Sequence, residues 1–177
     1  NIWKEKCMDI KEIFMDKIRG FEKISFKQYQ KDIGGDVDLS QEYDIIKLPQ
    51  RATEKSSGYD FFSVCDFQLN PGEEIKLPTG IKIYMQDDEE LLIFPRSSVG
   101  FKYNVKINNT IGKIDADYYN NEDNEGHVWI KFTNTGNKIW EVKHGEAIAQ
   151  GSFYKYLKAD NDIPKNKERK GGLGSTN

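Results

Sequence analysis

Four short stretches of the chain carry residues suited to chemistry on a phosphate. Phe94-Pro95-Arg96-Ser97-Ser98-Val99-Gly100 sets a guanidinium beside two hydroxyls, with a glycine near enough to let the backbone approach a ligand. Such a turn can aim guanidinium, hydroxyl and N–H donors at phosphate oxygens, although by itself it reads equally as a Pro-initiated surface turn. Asn109-Thr110-Ile111-Gly112-Lys113-Ile114-Asp115-Ala116-Asp117-Tyr118 puts two carboxylates and an aromatic ring in one predicted hairpin. An aspartate at a strand end can act as general base when its water lies in line with a phosphorus, and the ring can carry a sugar or base. A solvated acidic turn is the plain alternative. Gly145-Glu146-Ala147-Ile148-Ala149-Gln150-Gly151 predicts a turn entering a buried strand, with Gln150 as the polar side chain free for a ligand role. The last residues, Gly171-Gly172-Leu173-Gly174-Ser175-Thr176-Asn177, can converge backbone N–H groups and two hydroxyls on phosphate, or form an unstructured tail.

The elements that must position these stretches differ in texture along the chain. Residues 1–36 read as a helical extension: Ile10, Ile13, Phe14, Lys17 and Ile18 repeat at helix-like spacing. Asp9 is a candidate N-cap for it and Gly20 a candidate stop. A second short amphipathic helix covers Phe26 to Lys31. Residues 37–157 predict a β core, with short apolar or alternating runs over Tyr43–Leu48, Tyr59–Val64, Ile75–Leu77, Gly80–Tyr84, Glu90–Phe94, Lys106–Ile107, His127–Phe132, Lys138–Val142 and Ala147–Phe153. Turn formers such as Asn70-Pro71-Gly72 and Asn134-Thr135-Gly136-Asn137 punctuate them. Many short strands at regular spacing imply an all-β sandwich, barrel or jelly roll rather than a βαβ fold. Residues 158–177 are polar and predict an exposed C-terminal arm.

Bulk composition narrows the partners. The chain has 26 basic and 29 acidic residues and a net charge of −3, which argues against a nucleic-acid-coating surface. No apolar run reaches membrane-spanning length and no signal peptide opens the sequence, so a cytoplasmic protein without membrane attachment is expected. Cys7 and Cys65 have no metal-type spacing and are expected to be reduced and packed as small hydrophobes. His127 and His144 stand outside any zinc signature.

Taken in order, these stretches resemble the five signature motifs of the trimeric dUTPase family. Ser57-Gly58-Tyr59-Asp60-Phe61-Phe62 is similar to the first, Pro95 to Gly100 to the second, Asn109 to Tyr118 to the third and Gly145 to Gln150 to the fourth. Arg169-Lys170-Gly171-Gly172-Leu173-Gly174-Ser175-Thr176 resembles the fifth. The resemblance implies a jelly-roll, or β-clip, domain in a homotrimer whose active sites lie between subunits, hydrolysing dUTP to dUMP and pyrophosphate with Mg²⁺. It casts Asp115 as the base that activates water at the α-phosphorus. Tyr118 would lie under the deoxyribose, and Asn109 with the hairpin backbone around Gly112 and Ile114 would read uracil. Arg96, Ser97, Ser98 and Gln150 would hold the phosphates, and Asp60 would touch the Mg²⁺ water shell. Arg169, Gly171, Gly172, Leu173, Ser175 and Thr176 would belong to the closing arm.

This chain departs from the family pattern in three places. Leu173 stands where an aromatic commonly stacks on uracil, and Arg169 lies one residue closer to the paired glycines. After Tyr118, the segment Tyr119–Glu125 reads as an inserted, solvent-exposed hairpin. Two other functions remain open at this stage. A dCTP deaminase of the same fold would need a glutamate on the strand after the hairpin, but Val128-Trp129-Ile130-Lys131-Phe132-Thr133-Asn134 offers no carboxylate. A regulatory binding protein on the same scaffold would use the N-terminal helices and the insertion as partner surfaces.

Overall fold

Alternating burial along short strands determines the architecture. The computed structural model describes residues 17–35, 37–165 and 171. In chain order its strands are β1 (Gly20–Lys23), β2 (Gln50–Arg51), β3 (Tyr59–Phe62), β4 (Phe67–Leu69), β5 (Glu74–Pro78), β6 (Ile81–Tyr84), β7 (Glu89–Pro95), β8 (Val105–Ile107), β9 (Gly112–Asp115), β10 (Trp129–Asn134), β11 (Trp140–Val142) and β12 (Ala147–Lys155). Helices α1 (Phe26–Ile33), α2 (Ser40–Asp44) and α3 (Ser97–Tyr103) lie between them, and Ala116–Tyr118 forms a single 3₁₀ turn.

The main sheet has the order β2-β3-β12-β7-β9, and a second has the order β5-β10-β8. β1 pairs with β6 and β11 with β4, and every pairing is antiparallel. This is the all-β class that the spacing of strands predicts, in the jelly-roll form that the family resemblance implies.

β7 buries Leu91 and Ile93 on one face, and β10 buries Ile130, Phe132 and Asn134. Fully burying each large apolar side chain is worth about 1.5–3 kcal/mol. Buried Asn134 is fully engaged: its amide donates to the Leu69 and Lys138 carbonyls and its oxygen accepts from Gly136 N–H. At the centre of β12, Phe61 and Leu91 close over Gly151, where an added Cβ would meet Leu91 Cδ2 and Phe61 Cε2 at 2.9 Å each. Only glycine lets these two side chains meet across the strand.

Several elements differ from the sequence expectation. The apolar run Tyr43–Leu48 forms no strand, because Ser40–Asp44 is helical. Tyr43 packs on Phe26 and Tyr29 (ring centroids 5.4 and 5.7 Å) and donates its hydroxyl to the Ile24 carbonyl at 2.7 Å. Tertiary aromatic contacts therefore override the local pattern. Most of the predicted first helix, with its Asp9 cap and Cys7, falls outside the described residues. Its last members, Lys17 and Ile18, lie outside any helix, and Gly20 opens strand β1 instead of closing a helix. Phe21 of β1 sits 5.1–5.8 Å from the rings of Tyr59, Phe61 and Phe153, so this strand is part of the core. Cys65 is free and exposed, not packed as a small hydrophobe.

The predicted second helix is present as α1, with Ser25 accepting from Gln28 N–H at 3.1 Å as its N-cap. The Tyr119–Glu125 insertion is not a solvent-exposed hairpin: it is a compact loop tied to α1. Glu125 accepts from both the backbone N–H and the hydroxyl of Ser25 (2.8 and 2.6 Å), and Lys31 donates to the Asp123 carbonyl. A carboxylate at the start of α1 also suits the positive end of its dipole. The N-terminal segment and the insertion thus satisfy one another's polar groups.

Their deepest contact is His127, whose side chain is fully buried. Gly80 N–H donates to His127 Nε2 at 2.9 Å, which requires a lone pair there. The ring proton therefore sits on Nδ1 and is donated to Asp32 Oδ2 at 2.6 Å. Burial pushes the His127 pKa below its ordinary 6.5, against the opposing pull of Asp32 and Glu125 and with help from Lys76. The unfolded chain thus binds a proton at a higher pH than the folded one. Its contribution to stability is complete above pH 6.5 and is lost as pH falls from there toward the lowered folded value. The thermal midpoint is expected to decline on acidification through this window, and His127→Gln to flatten that slope. Carboxylates held low by partners, such as Glu89 by Arg19, act only from about pH 4.5 downward.

Candidate active site

The predicted site residues of separate motifs meet because β12 lies between β3 and β7. Gln150 of β12 is opposite Asp60 on one side and Phe94 on the other. One step beyond β7, Arg96 points back: its Nε lies 3.1 Å from Asp60 Oδ1 and its Nη1 donates to the Ala147 carbonyl at 3.3 Å. Gln150 Nε2 reaches the Pro95 carbonyl at 3.5 Å. Gly58 packs against Gln150: a Cβ there would stand 2.7 Å from Gln150 Oε1 and push that side chain aside. Three sequence-distant stretches, 57–60, 95–98 and 147–150, therefore form one polar cluster at one end of the main sheet.

The segment Arg96 to Gly100 is more than a turn. Ser97–Tyr103 is helical, started by extended Arg96 and ended by Asn104 in the left-handed conformation. Ser97 and Ser98 are exposed at the first turn of this helix, and Val99 anchors it in the core. Arg96 keeps 35% of its side-chain surface accessible, while Asp60 keeps 14%. The guanidinium is thus held by a mostly buried carboxylate and still presents donors outward.

The second cluster is built on the hairpin. β8 joins β10 in one sheet, whereas β9 joins β7 in the other, so the two arms of the hairpin diverge. A cleft of about 300 Å³ opens there, at the small end of ligand-pocket sizes. Asn109, Gly112 and Ile114 line it, together with Ile93, Ile107 and Trp129. Asn109 is exposed, and Thr110 at the tip has φ of 65°. Gly112 packs closely on β7, where a Cβ would meet Ile93 Cβ at 3.1 Å.

Asp115 ends β9 directly opposite Glu90. Its side chain is 43% exposed, and Oδ1 lies 3.8 Å from Lys113 Nζ. That lysine has a closer partner in Glu90 Oε2 at 2.8 Å, and this pairing raises its pKa. Tyr118 follows in the 3₁₀ turn. It is only 4% exposed, with its hydroxyl donating to the His127 carbonyl at 3.0 Å and accepting from Asn124 Nδ2 at 2.9 Å.

The two clusters do not meet within one chain. Asp115 is level with Glu90 and Arg96 follows Pro95, so roughly six residues of β7, about 20 Å at strand rise, separate them. Of the predicted arm residues, Gly171 is half-buried, and Arg169, Gly172, Leu173, Ser175 and Thr176 lie outside the described residues. Among the described residues, no group of three or more His, Cys, Asp or Glu side chains converges as a metal-ligand set. Glu90 and Trp129 are site neighbours that sequence reading missed. Their relevance comes only from strand register and the shape of the cleft, which no local motif encodes.

Comparison with known proteins gives a consistent picture. A dUTPase family model matches residues 44–177. The deoxyuridine 5'-triphosphate nucleotidohydrolase of Lactococcus lactis subsp. lactis is 41% identical over 161 residues, covering 90% of this chain and 98% of that protein. The enzyme of the same name from Clostridium tetani is 36% identical over 134 residues, covering 73% and 88%. Among solved structures, the dUTPase from Streptococcus mutans is 34% identical with a TM-score of 0.63, over 80% of this chain and 99% of that one. A variant dUTPase from phage phi11 of S. aureus shares the fold at 20% identity and a TM-score of 0.58, over 73% and 94% of the two chains. That structure concerns the coordination of a structural Mg(II) ion.

Proposed function

The chain belongs to the dUTPase family, and we propose that it hydrolyses dUTP to dUMP and pyrophosphate in sites that two clusters from different subunits complete. The observation that carries this reading is the separation along β7. A triphosphate gripped by Arg96 cannot also present its α-phosphorus to Asp115 of the same chain about 20 Å away. A closed homotrimer brings the Asp60–Arg96–Gln150 end of one subunit to the hairpin of the next. Uracil enters the cleft between the diverging arms, where Asn109 and the backbone at Gly112 and Ile114 present donors and acceptors matched to its edge. A cytosine amino group would leave those groups mispaired, which costs far more than a missing methylene.

Asp115 takes a proton from water as the water oxygen bonds to the α-phosphorus, and the bond from that phosphorus to the oxygen bridging to the β-phosphate breaks. Arg96, Ser97, Ser98 and Gln150 hold the phosphates in line for that displacement. Mg²⁺, when bound, would supply neutralisation of the charge on the leaving pyrophosphate. Asp60 suits a contact through a water of its shell, as a single carboxylate at the phosphate end already paired with Arg96. Tyr118, held rigid by its hydroxyl, forms the floor that a 2′-hydroxyl would strike. The arm carrying Arg169, Gly171, Gly172, Leu173, Ser175 and Thr176 closes over the phosphates. Leu173 there covers the base with less surface than an aromatic ring would.

Pyrophosphate release from dUTP, dCTP, dTTP and UTP, with and without Mg²⁺, tests this assignment. Fast, Mg²⁺-dependent release from dUTP alone is expected. Equal rates on dUTP and dCTP would overturn the uracil reading, and release from none of them would overturn the reaction.

A further inference from the structure

The N-terminal segment and the insertion after Tyr118 meet at one residue of the proposed site. A continuous chain of contacts runs from α1 to the sugar floor. Gln28 Nε2 donates to Asp32 Oδ1 at 2.8 Å, and Asp32 Oδ2 accepts from the buried His127 ring at 2.6 Å. The His127 carbonyl accepts from the Tyr118 hydroxyl at 3.0 Å. The insertion completes the cage: Asn124 Nδ2 donates to the same hydroxyl, and Asn121 Nδ2 donates to the Tyr118 carbonyl at 2.8 Å. Gly126, at φ of 84°, closes it so tightly that a Cβ would stand 2.5 Å from the Tyr118 carbonyl oxygen. The His127 ring cannot turn away, because Gly80 N–H holds Nε2 and Trp129 packs on it with centroids 5.0 Å apart.

We propose that Asp32 is a positioning residue for substrate selection: through His127 it fixes the carbonyl that tethers Tyr118, so the N-terminal helix sets how strictly ribonucleotides are refused. This rests on the reading of Tyr118 as the sugar floor. A floor discriminates against a 2′-hydroxyl only as sharply as it resists displacement, and a shift of a few tenths of an ångström admits the extra oxygen. The helix thereby acts on selectivity without touching substrate.

The test compares kcat/KM for dUTP and UTP in Asp32→Ala, Asp32→Asn, Tyr118→Phe and the Asp32→Ala/Tyr118→Phe pair. Asp32→Ala strips the acceptor from a buried N–H and is expected to lower the dUTP preference roughly five- to tenfold, mainly through faster UTP turnover. Asp32→Asn keeps an acceptor oxygen and is expected to restore most of it. Tyr118→Phe cuts the tether without touching α1, and the double variant should be no less selective than Tyr118→Phe alone. An unchanged preference in Tyr118→Phe overturns the proposal even if Asp32→Ala fails to fold, as does full additivity in the pair. The ring signals of Tyr118 and His127 in NMR give a readout independent of turnover. They are expected to shift together in Asp32→Ala, and a fixed Tyr118 signal would end the idea. If the wild-type protein itself prefers neither nucleotide, the proposed function fails instead, and the NMR comparison alone decides the coupling.

Discussion

Asp115→Asn is expected to lower kcat for dUTP by about 10²–10⁴-fold, the range attributed to a positioned general base. The amide is nearly the shape of the carboxylate but cannot accept a proton from the attacking water. The side chain is 43% exposed at the end of β9, and it forms no part of the buried core. Fold and assembly should therefore survive, and so should dUTP binding, which is proposed to rest on the cleft and the Arg96 cluster. Single-turnover pyrophosphate release alongside equilibrium dUTP titration separates these effects. A variant that binds dUTP normally and turns over within tenfold of wild type would remove Asp115 from the base role. The neighbouring ion pair bears on the same experiment. Lys113 lies closer to Glu90 than to Asp115, so its charge is largely committed before it reaches the base. Glu90→Gln releases Lys113 toward Asp115 and is expected to slow turnover by much less than Asp115→Asn, which loses the carboxylate itself.

How much of this could be read from the chain depends on whether a feature is local. The Arg96-Ser97-Ser98 turn and the Asp115 hairpin are compact stretches whose residue types announce their chemistry. β7 and β10 alternate buried and more exposed residues cleanly enough to be seen in advance. What stayed hidden is what topology creates. Tyr43–Leu48 has the composition of a strand, but aromatic packing on α1 turns its start into a helix. Glu90 gained its place beside Asp115 only through antiparallel register between β7 and β9. His127 looked like an isolated histidine, because its partner Asp32 lies 95 residues away. The insertion looked solvent-exposed on polarity alone, yet its asparagines and Glu125 spend that polarity on Ser25 and Tyr118.

The distance between Asp115 and Arg96 along β7 leads to an expected rescue if the protein forms the proposed trimer. Arg96→Ala and Asp115→Asn should each be inactive alone, since every site of either variant would lack one function. Mixed trimers formed by co-expression behave differently if Asp115 and Arg96 of one site come from neighbouring subunits. In a one-to-one mixture, about a quarter of the sites then pair an intact Asp115 with an intact Arg96, as random closed assembly requires. Activity should rise from near zero to roughly that fraction of wild type, an increase of about 25-fold or more over the Asp115→Asn parent. Arg96→Ala leaves Asp60 without its 3.1 Å partner, so Arg96→Gln is the gentler second choice if folding suffers. Were the site contained in one chain, every subunit of the mixture would carry one lesion and no rescue could occur. Silence in well-formed mixed trimers would therefore mean that β7 does not separate the halves of the site. Recovery near a quarter would mean that a single chain of this protein holds no complete active site.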